Sequence, residues 1–241
     1  MSLGTASSIT GGLGAVPLRG EAFELRGWVE KEGWPKIVAC CGVILLGTGL
    51  YGATMGWWRA PLQGCYVALK FPLIVLMTTF GNALLNGMLA PLLGVNIPFR
   101  QSLSAILLSF AIASAILGSL SPLMAFVVWN VPAIGAAGSQ SYLVHSFILL
   151  LHVATIAFAG IIGNVHLGRM LTAITGSPSA ARKLLLAWLA GNLLLGSQVS
   201  WILRPFIGSP GLPIEFVRQD ALRGNFFETV GRSFLNLLNL N

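Results

Sequence analysis

No aspartate or glutamate occurs between Glu32 and Glu215, a stretch that makes up most of the 241-residue chain. A soluble domain carries roughly 25% charged residues, spread over its surface. This chain carries 9%, with 55% hydrophobic residues and a mean hydropathy of +0.81. Such a composition leaves too little polar surface to face water, so the solvent must be mostly lipid. The chain reads as an integral membrane protein.

A spanning helix needs about 20 mostly apolar residues. Five such runs lie at 36–57, 71–93, 103–129, 142–168 and 184–203. They are broken at Arg59-Ala60-Pro61, Asn96-Ile97-Pro98-Phe99-Arg100, Asn130-Val131-Pro132 and Gly176-Ser177-Pro178. Proline lacks a backbone donor and glycine adopts turns that other residues resist, so these are natural stops. Trp34, Trp57, Trp58, Trp129, Tyr142 and Trp201 mark several ends, as amphipathic rings do at the headgroup level. The expected fold is all-α, a polytopic transmembrane bundle of about five spanning helices over 36–203. A partly amphipathic arm (1–35) precedes it and a tail (204–241) follows.

Basic residues set the expected orientation, because Lys and Arg accumulate on the cytoplasmic side. With five crossings, Arg19, Arg26, Lys31, Lys36, Arg100, Arg169, Arg182 and Lys183 share the arm's side. Arg59, Lys70 and the tail's Arg204, Arg218, Arg223 and Arg232 fall opposite. The loops put the arm inside; the tail argues the other way. The net charge of +7 suits anchoring to anionic lipid rather than nucleic-acid binding, since the arginines form no patch. The first 35 residues lack the apolar core of a signal peptide, and the expected location is a bacterial inner membrane. Cys40, Cys41 and Cys65 form no C-x-x-C pair and read as small apolar side chains.

Few side chains here offer chemistry. His145, His152 and His166 all fall in the fourth run and lie within about 60° of one another around a helix. Intramembrane histidines can ligate haem, chlorophyll or a metal. A bis-His haem needs histidines on two facing helices, however, and no other run has one, so packing and hydrogen bonding are favoured and no cofactor is expected. Asn82 and Asn86 are four residues apart on one helical face. An unpaired amide in hydrocarbon is costly, so both are expected to point into the bundle. With Asn192 and Gln198 of the fifth run they form either interhelical hydrogen bonds or a polar path. Gly52-x-x-x-Gly56, Ala111-x-x-x-Ala115 and Ala187-x-x-x-Gly191 are spacings at which helices approach closely.

Several chemistries lack their residues. The spans hold no carboxylate for ion coupling. The chain has no His-Glu-x-x-His, no G-x-S-x-G and no phosphate-cradling glycine loop. No catalytic residue and no metal set is assigned, and an enzyme is not expected.

The tail is patterned differently. RPFIGSPGLP (204–213) is too rich in Pro and Gly to stay helical. Ile214, Val217, Ala221 and Leu222 then repeat at helical spacing, which predicts a short helix closed by Gly224. Asn225 and Glu228 resemble a capping pair for a second helix. Its apolar stripe would be Phe226, Phe227, Val230 and Phe234, flanked by Arg223 and Arg232. Two amphipathic helices of this kind suit the membrane interface or a groove on a partner. The arm could lie flat in the same way through Phe23, Leu25 and Trp28.

At LLGVNIPFRQSLSAILLSFAIASAILGSLSPL (92–123) a helix ends in glycine and a short loop carries Phe-Arg-Gln-Ser. A helix rich in small residues follows, with Ser-Pro inside it. Together with the charged arm and the five runs, this resembles bacterial members of the Yip-type (Ypt-interacting protein) membrane family over about residues 20–170. The resemblance implies a non-enzymatic scaffold whose partners are the lipid bilayer and other membrane proteins or copies of itself. The Arg-Pro-Phe tail is not part of that pattern. A transporter subunit with a path through Asn82, Asn86, Asn192 and Gln198 is the second expectation, and a pigment-bearing subunit using the histidines the third.

Overall fold

The computed structural model describes residues 34–92, 94, 97–133, 141–208 and 211–228. Five helices carry the fold: α1 (Trp34–Trp57), α2 (Pro61–Leu92), α3 (Phe99–Asn130), α4 (Ser141–Thr175) and α5 (Pro178–Ile202). All five are long and apolar enough to cross a membrane, and no strand occurs among the described residues. The all-helical, five-span bundle expected from composition is the observed one. Residues 1–33 of the arm, and Val230, Arg232 and Phe234 of the tail, lie outside the described residues, while the arm's last two residues, Trp34 and Pro35, open α1.

The helices outrun their hydropathy peaks. α2 starts at Pro61 rather than 71, and α4 continues past 168 to Thr175, for 35 residues in all. Hydropathy marks only the lipid-facing length, whereas local chemistry sets where a helix stops. Gly176, with φ of +64°, ends α4 in a conformation that favours glycine. Ser177 then caps α5, its side chain accepting from the Ala180 N–H, and Pro178 occupies the first turn, where its missing donor costs nothing.

α1 packs on α2 and α3, α4 on α3, and α5 on α2 and α4. α5 is the outermost, with Ala181, Leu184 and Trp188 as its buried residues. One core cluster joins Cys40, Ile44, Ala83, Ile106 and Trp188, and a second joins Tyr51, Val67, Met124, Ile148 and Ile207. Small residues let the backbones meet. A Cβ on Gly52 would lie 2.6 Å from the Val67 carbonyl oxygen, and one on Gly56 2.5 Å from that of Gln63, so this glycine pair is the α1–α2 contact. Buried hydroxyls are mostly satisfied within their own helix, as Thr79 by Val75 O (2.7 Å) and Ser114 by Phe110 O (2.7 Å). Ser109 instead reaches Gly163 O on α4 at 2.8 Å.

An odd number of crossings puts the tail at the same end as the α1–α2 turn, and the contacts agree. Trp58 Nε1 donates to Pro132 O (3.0 Å), and Arg59 Nη2 donates to Leu212 O (3.0 Å). One expectation fails here. Residues 211–225 form turns and bends, not the helix predicted over 214–224. Three-residue turns replace a helical ladder: the Ala221 N–H donates to Arg218 O (3.0 Å) and the Arg223 N–H to Asp220 O (2.9 Å), while Arg204 also reaches Asp220 O and Ala221 O, and Trp201 Nε1 donates to Arg223 O. Helix resumes at Phe226, capped by the Asn225 side chain, which accepts from the Glu228 N–H at 2.7 Å.

Candidate functional site

The buried face of α2 is polar along most of its length. Gln63, Lys70, Thr78, Asn82 and Asn86 are all buried. From Gln63 to Asn86 is roughly 35 Å at 1.5 Å per residue, slightly more than the hydrocarbon of a bilayer. A seam of this kind is tolerated only where neighbouring backbone or side chains replace water.

At the tail end the replacement comes from residues far away in sequence. Lys70 Nζ donates to Pro205 O at 3.0 Å. Gln63 Nε2 donates to the same oxygen at 3.0 Å and to Phe206 O at 2.7 Å. The Lys70 nitrogen also lies 4.9 Å from the centre of the Phe216 ring and 6.0 Å from that of Phe206. Among the described residues Lys70 has no carboxylate partner; carbonyl dipoles and ring faces hold it instead. Arg204 locks the following turn. Its guanidinium stacks 3.8 Å from the Trp201 ring centre and donates to Trp201 O at 2.8 Å and Asp220 Oδ2 at 3.3 Å. Asp220 is 57% exposed, so this ion pair adds little by itself. Residues 204–208 and 211–224 are thus a latch across the bundle end, with Lys70 as its deepest anchor.

In the middle of the membrane the seam meets α5. Asn82 Nδ2 donates to Asn192 Oδ1 at 2.7 Å and, more weakly, to Trp188 O at 3.3 Å. Gly191 leaves room for this amide, since a Cβ there would lie 2.5 Å from Asn82 Oδ1. Asn86, one turn further on, is fully buried, and neither its Nδ2 nor its Oδ1 has a hydrogen-bond partner among the described residues. Thr78 Oγ1, Ser102 Oγ and Trp188 Nε1 are likewise buried and without a partner among the described residues. Both asparagines face other helices, as desolvation requires. Gln198 stands apart, half-exposed on α5, with no hydrogen bond among the described residues.

The three histidines share a helix but not a site. His152 is buried and shares a 2.8 Å hydrogen bond with the Tyr51 hydroxyl through Nδ1, tying α4 to α1. His145 is half-buried, its ring 6.0 Å from that of Trp58. His166 lies about three-quarters of the way along α4, about 21 Å from the level of His152, and its Nδ1 is buried without a partner among the described residues. Among the described residues, no three His, Cys, Asp or Glu come together to hold a metal ion.

Of the tail's expected docking residues, Phe226 and Phe227 are exposed and pack edge to face at 5.5 Å, with Arg223 exposed nearby. Sequence reasoning missed Gln63 and Lys70, which it placed in a loop. The signal was present: Lys70, Ile74, Thr78, Asn82 and Asn86 follow one another at steps of four residues, a single slowly turning face of a helix. Comparison with protein-family models, curated proteins and solved structures finds no match to this chain.

Proposed function

We propose that this chain is a non-enzymatic scaffold or accessory subunit of a bacterial inner membrane, which binds other membrane components through its latched tail. One observation carries the reading. The latch holds residues 211–225 against the bundle, yet it leaves Leu222 84% exposed and Phe226 and Phe227 exposed beside Arg223. An apolar patch rimmed by arginine at the end of a bundle suits an interfacial contact. The resemblance of residues 92–123 to Yip-type proteins supports the same reading. Phe226 and Phe227 are 36% and 42% exposed; burying a whole phenylalanine contributes roughly 1.5–3 kcal/mol, so Phe226→Ser with Phe227→Ser removes about tenfold or more in affinity if the partner covers what remains of both rings. The expected result is a large complex on native gels of solubilised membranes that is lost in the double variant, while the melting of the purified bundle is unchanged. A complex that survives the double substitution rules out the tail as its contact.

A second reading, passage of a small polar solute along the α2 seam, rests on the unpartnered amide of Asn86. An amide that only fills space is dispensable: replacing it by leucine removes a desolvation cost of about 1–3 kcal/mol and stabilises the bundle. An amide that lines a path is not. On this reading, light-scattering measurements on proteoliposomes, with urea and glycerol as probes, show permeation above empty vesicles that Asn86→Leu abolishes without raising the melting temperature. Permeation equal to that of empty vesicles removes this reading.

A further inference from the structure

α4 and α5 part near their connecting turn and leave a cleft of ≈ 790 Å³. Its body is mostly apolar: Ile161 and Val165 line it from α4, Leu185 and Leu189 from α5, and the two polar side chains among them, Asn164 and Thr172, donate to carbonyls of their own helix. Arg169 and Arg182 line the same cleft close to the Gly176-Ser177 turn. At 1.5 Å per residue the apolar wall runs about 12 Å from Arg169 to Ile161. The N-terminus of α5 opens at the same mouth and adds the positive end of its dipole. Both arginines are exposed, and among the described residues neither has a carboxylate partner. The described carboxylates, Glu215, Asp220 and Glu228, all belong to the tail, at the opposite end of the bundle.

A site with two cations at its mouth and hydrocarbon in its body selects an amphiphile. A free anion satisfies only the mouth, and a zwitterionic lipid brings its own ammonium group up to the two guanidinium groups. We propose that this cleft binds one anionic phospholipid, its phosphate group between Arg169 and Arg182 and one acyl chain along Ile161, Val165, Leu185 and Leu189. The cleft lies at the arm end, the side that basic-residue counting makes cytoplasmic, where anionic lipids concentrate. None of its residues belongs to the α2 seam or the tail latch, so the site stands apart from the functional readings above.

The test is native mass spectrometry of the full chain in neutral detergent, with phosphatidylglycerol and phosphatidylcholine supplied at equal concentration. A basic group near a lipid headgroup is worth about fivefold in affinity, so two give a preference for phosphatidylglycerol of about thirtyfold. Arg169→Gln with Arg182→Gln is expected to abolish that preference without altering melting in lipid-free detergent. Arg100→Gln with Lys183→Gln, equal in charge and at the same end but outside the cleft, is expected to preserve it. No preference in the intact chain overturns the proposal. So does a preference retained without the two arginines, or one lost equally in the control pair. Displacement of phosphatidylglycerol by excess inorganic phosphate would show a site that reads phosphate alone, against the lipid assignment. A preference that emerges only after deletion of residues 1–33 would give the cleft to the acidic arm (Glu21, Glu24, Glu30, Glu32) and overturn it as well.

Discussion

Replacing Lys70 by alanine is expected to unlatch the tail and destabilise the bundle by about 3 kcal/mol, from the opposing terms that follow. Three buried methylenes are lost, at about 0.8 kcal/mol each. A charge-assisted hydrogen bond to Pro205 O goes with them, worth about 1.5–3 kcal/mol. Against this, the variant no longer desolvates an ammonium group, which offsets part of the loss. The Phe216 and Phe206 rings, which flank the Lys70 nitrogen, lose the cation between them. Gln63 still donates to Pro205 O and Phe206 O, so the first residues of the latch stay held while 211–224 loosen.

Lys70→Met separates the two causes. It keeps the stem and its packing but removes the charge, and a buried charge replaced by an apolar group of similar volume is often neutral for stability. Its unfolding in an SDS titration is therefore expected within about 1 kcal/mol of the parent. Proteolysis within 211–224 should nevertheless be faster in both variants than in the parent, because both lose the anchor. If Lys70→Ala unfolds like the parent and its tail resists protease equally, Lys70 is not what holds the latch.

The same residue shows where sequence reading reaches its limit. Lipid imposes a simple rule on a helix, and the five spans were legible because each satisfies that rule by itself. Lys70 violates it alone and satisfies it only together with Pro205, which lies beyond three more helices in the chain. Hydropathy therefore placed the start of α2 after the lysine, although the polar face runs through it without a break. Asn82 was half legible: desolvation required it to point inward, but only the packing of α5 on α2 made Asn192 its partner. The histidine spacing was correct as geometry and silent about neighbours, since among the described residues only His152 meets a hydrogen-bonding side chain across the helices. In the tail, the positions of Ile214, Val217 and Ala221 imitate a helix. The backbone instead closes in short turns, from Ala221 to Arg218 and from Arg223 to Asp220, and Arg204 and Trp201 hold those turns at the bundle end.

Close approach of helices is the other property that spacing hints at and packing decides. Gly52-x-x-x-Gly56 was visible as a motif, whereas Gly47, where α1 meets α3, belongs to none. A Cβ built on Gly47 would collide with the Ser114 carbonyl oxygen and lie 2.7 Å from the Ser114 carbonyl carbon. Gly118 faces it from α3, its own Cβ position only 2.9 Å from Gly47 Cα. These are backbone atoms, which cannot swing aside as a side chain does, so Gly47→Ala must push the two helices apart. Overpacking a core by a methyl group usually costs about 1–3 kcal/mol; here a whole seam opens, and a loss of at least about 3 kcal/mol is expected. Tyr51 lies one turn along α1, so the displacement also stretches its 2.8 Å hydrogen bond to His152 beyond useful length. Gly42→Ala is the matched control, on the same helix with nothing within 4 Å of its Cβ position. It gains helix propensity of up to about 1 kcal/mol and should be neutral or stabilising. Both substitutions add one methyl group to one glycine of α1, so any difference between them reports contact with α3 and not propensity. SDS unfolding and the yield of monodisperse protein measure it: Gly47→Ala is expected to fail both while Gly42→Ala passes. Equal behaviour of the two would mean that α1 and α3 do not meet at Gly47, and the α1–α3 seam of this bundle would have to be redrawn.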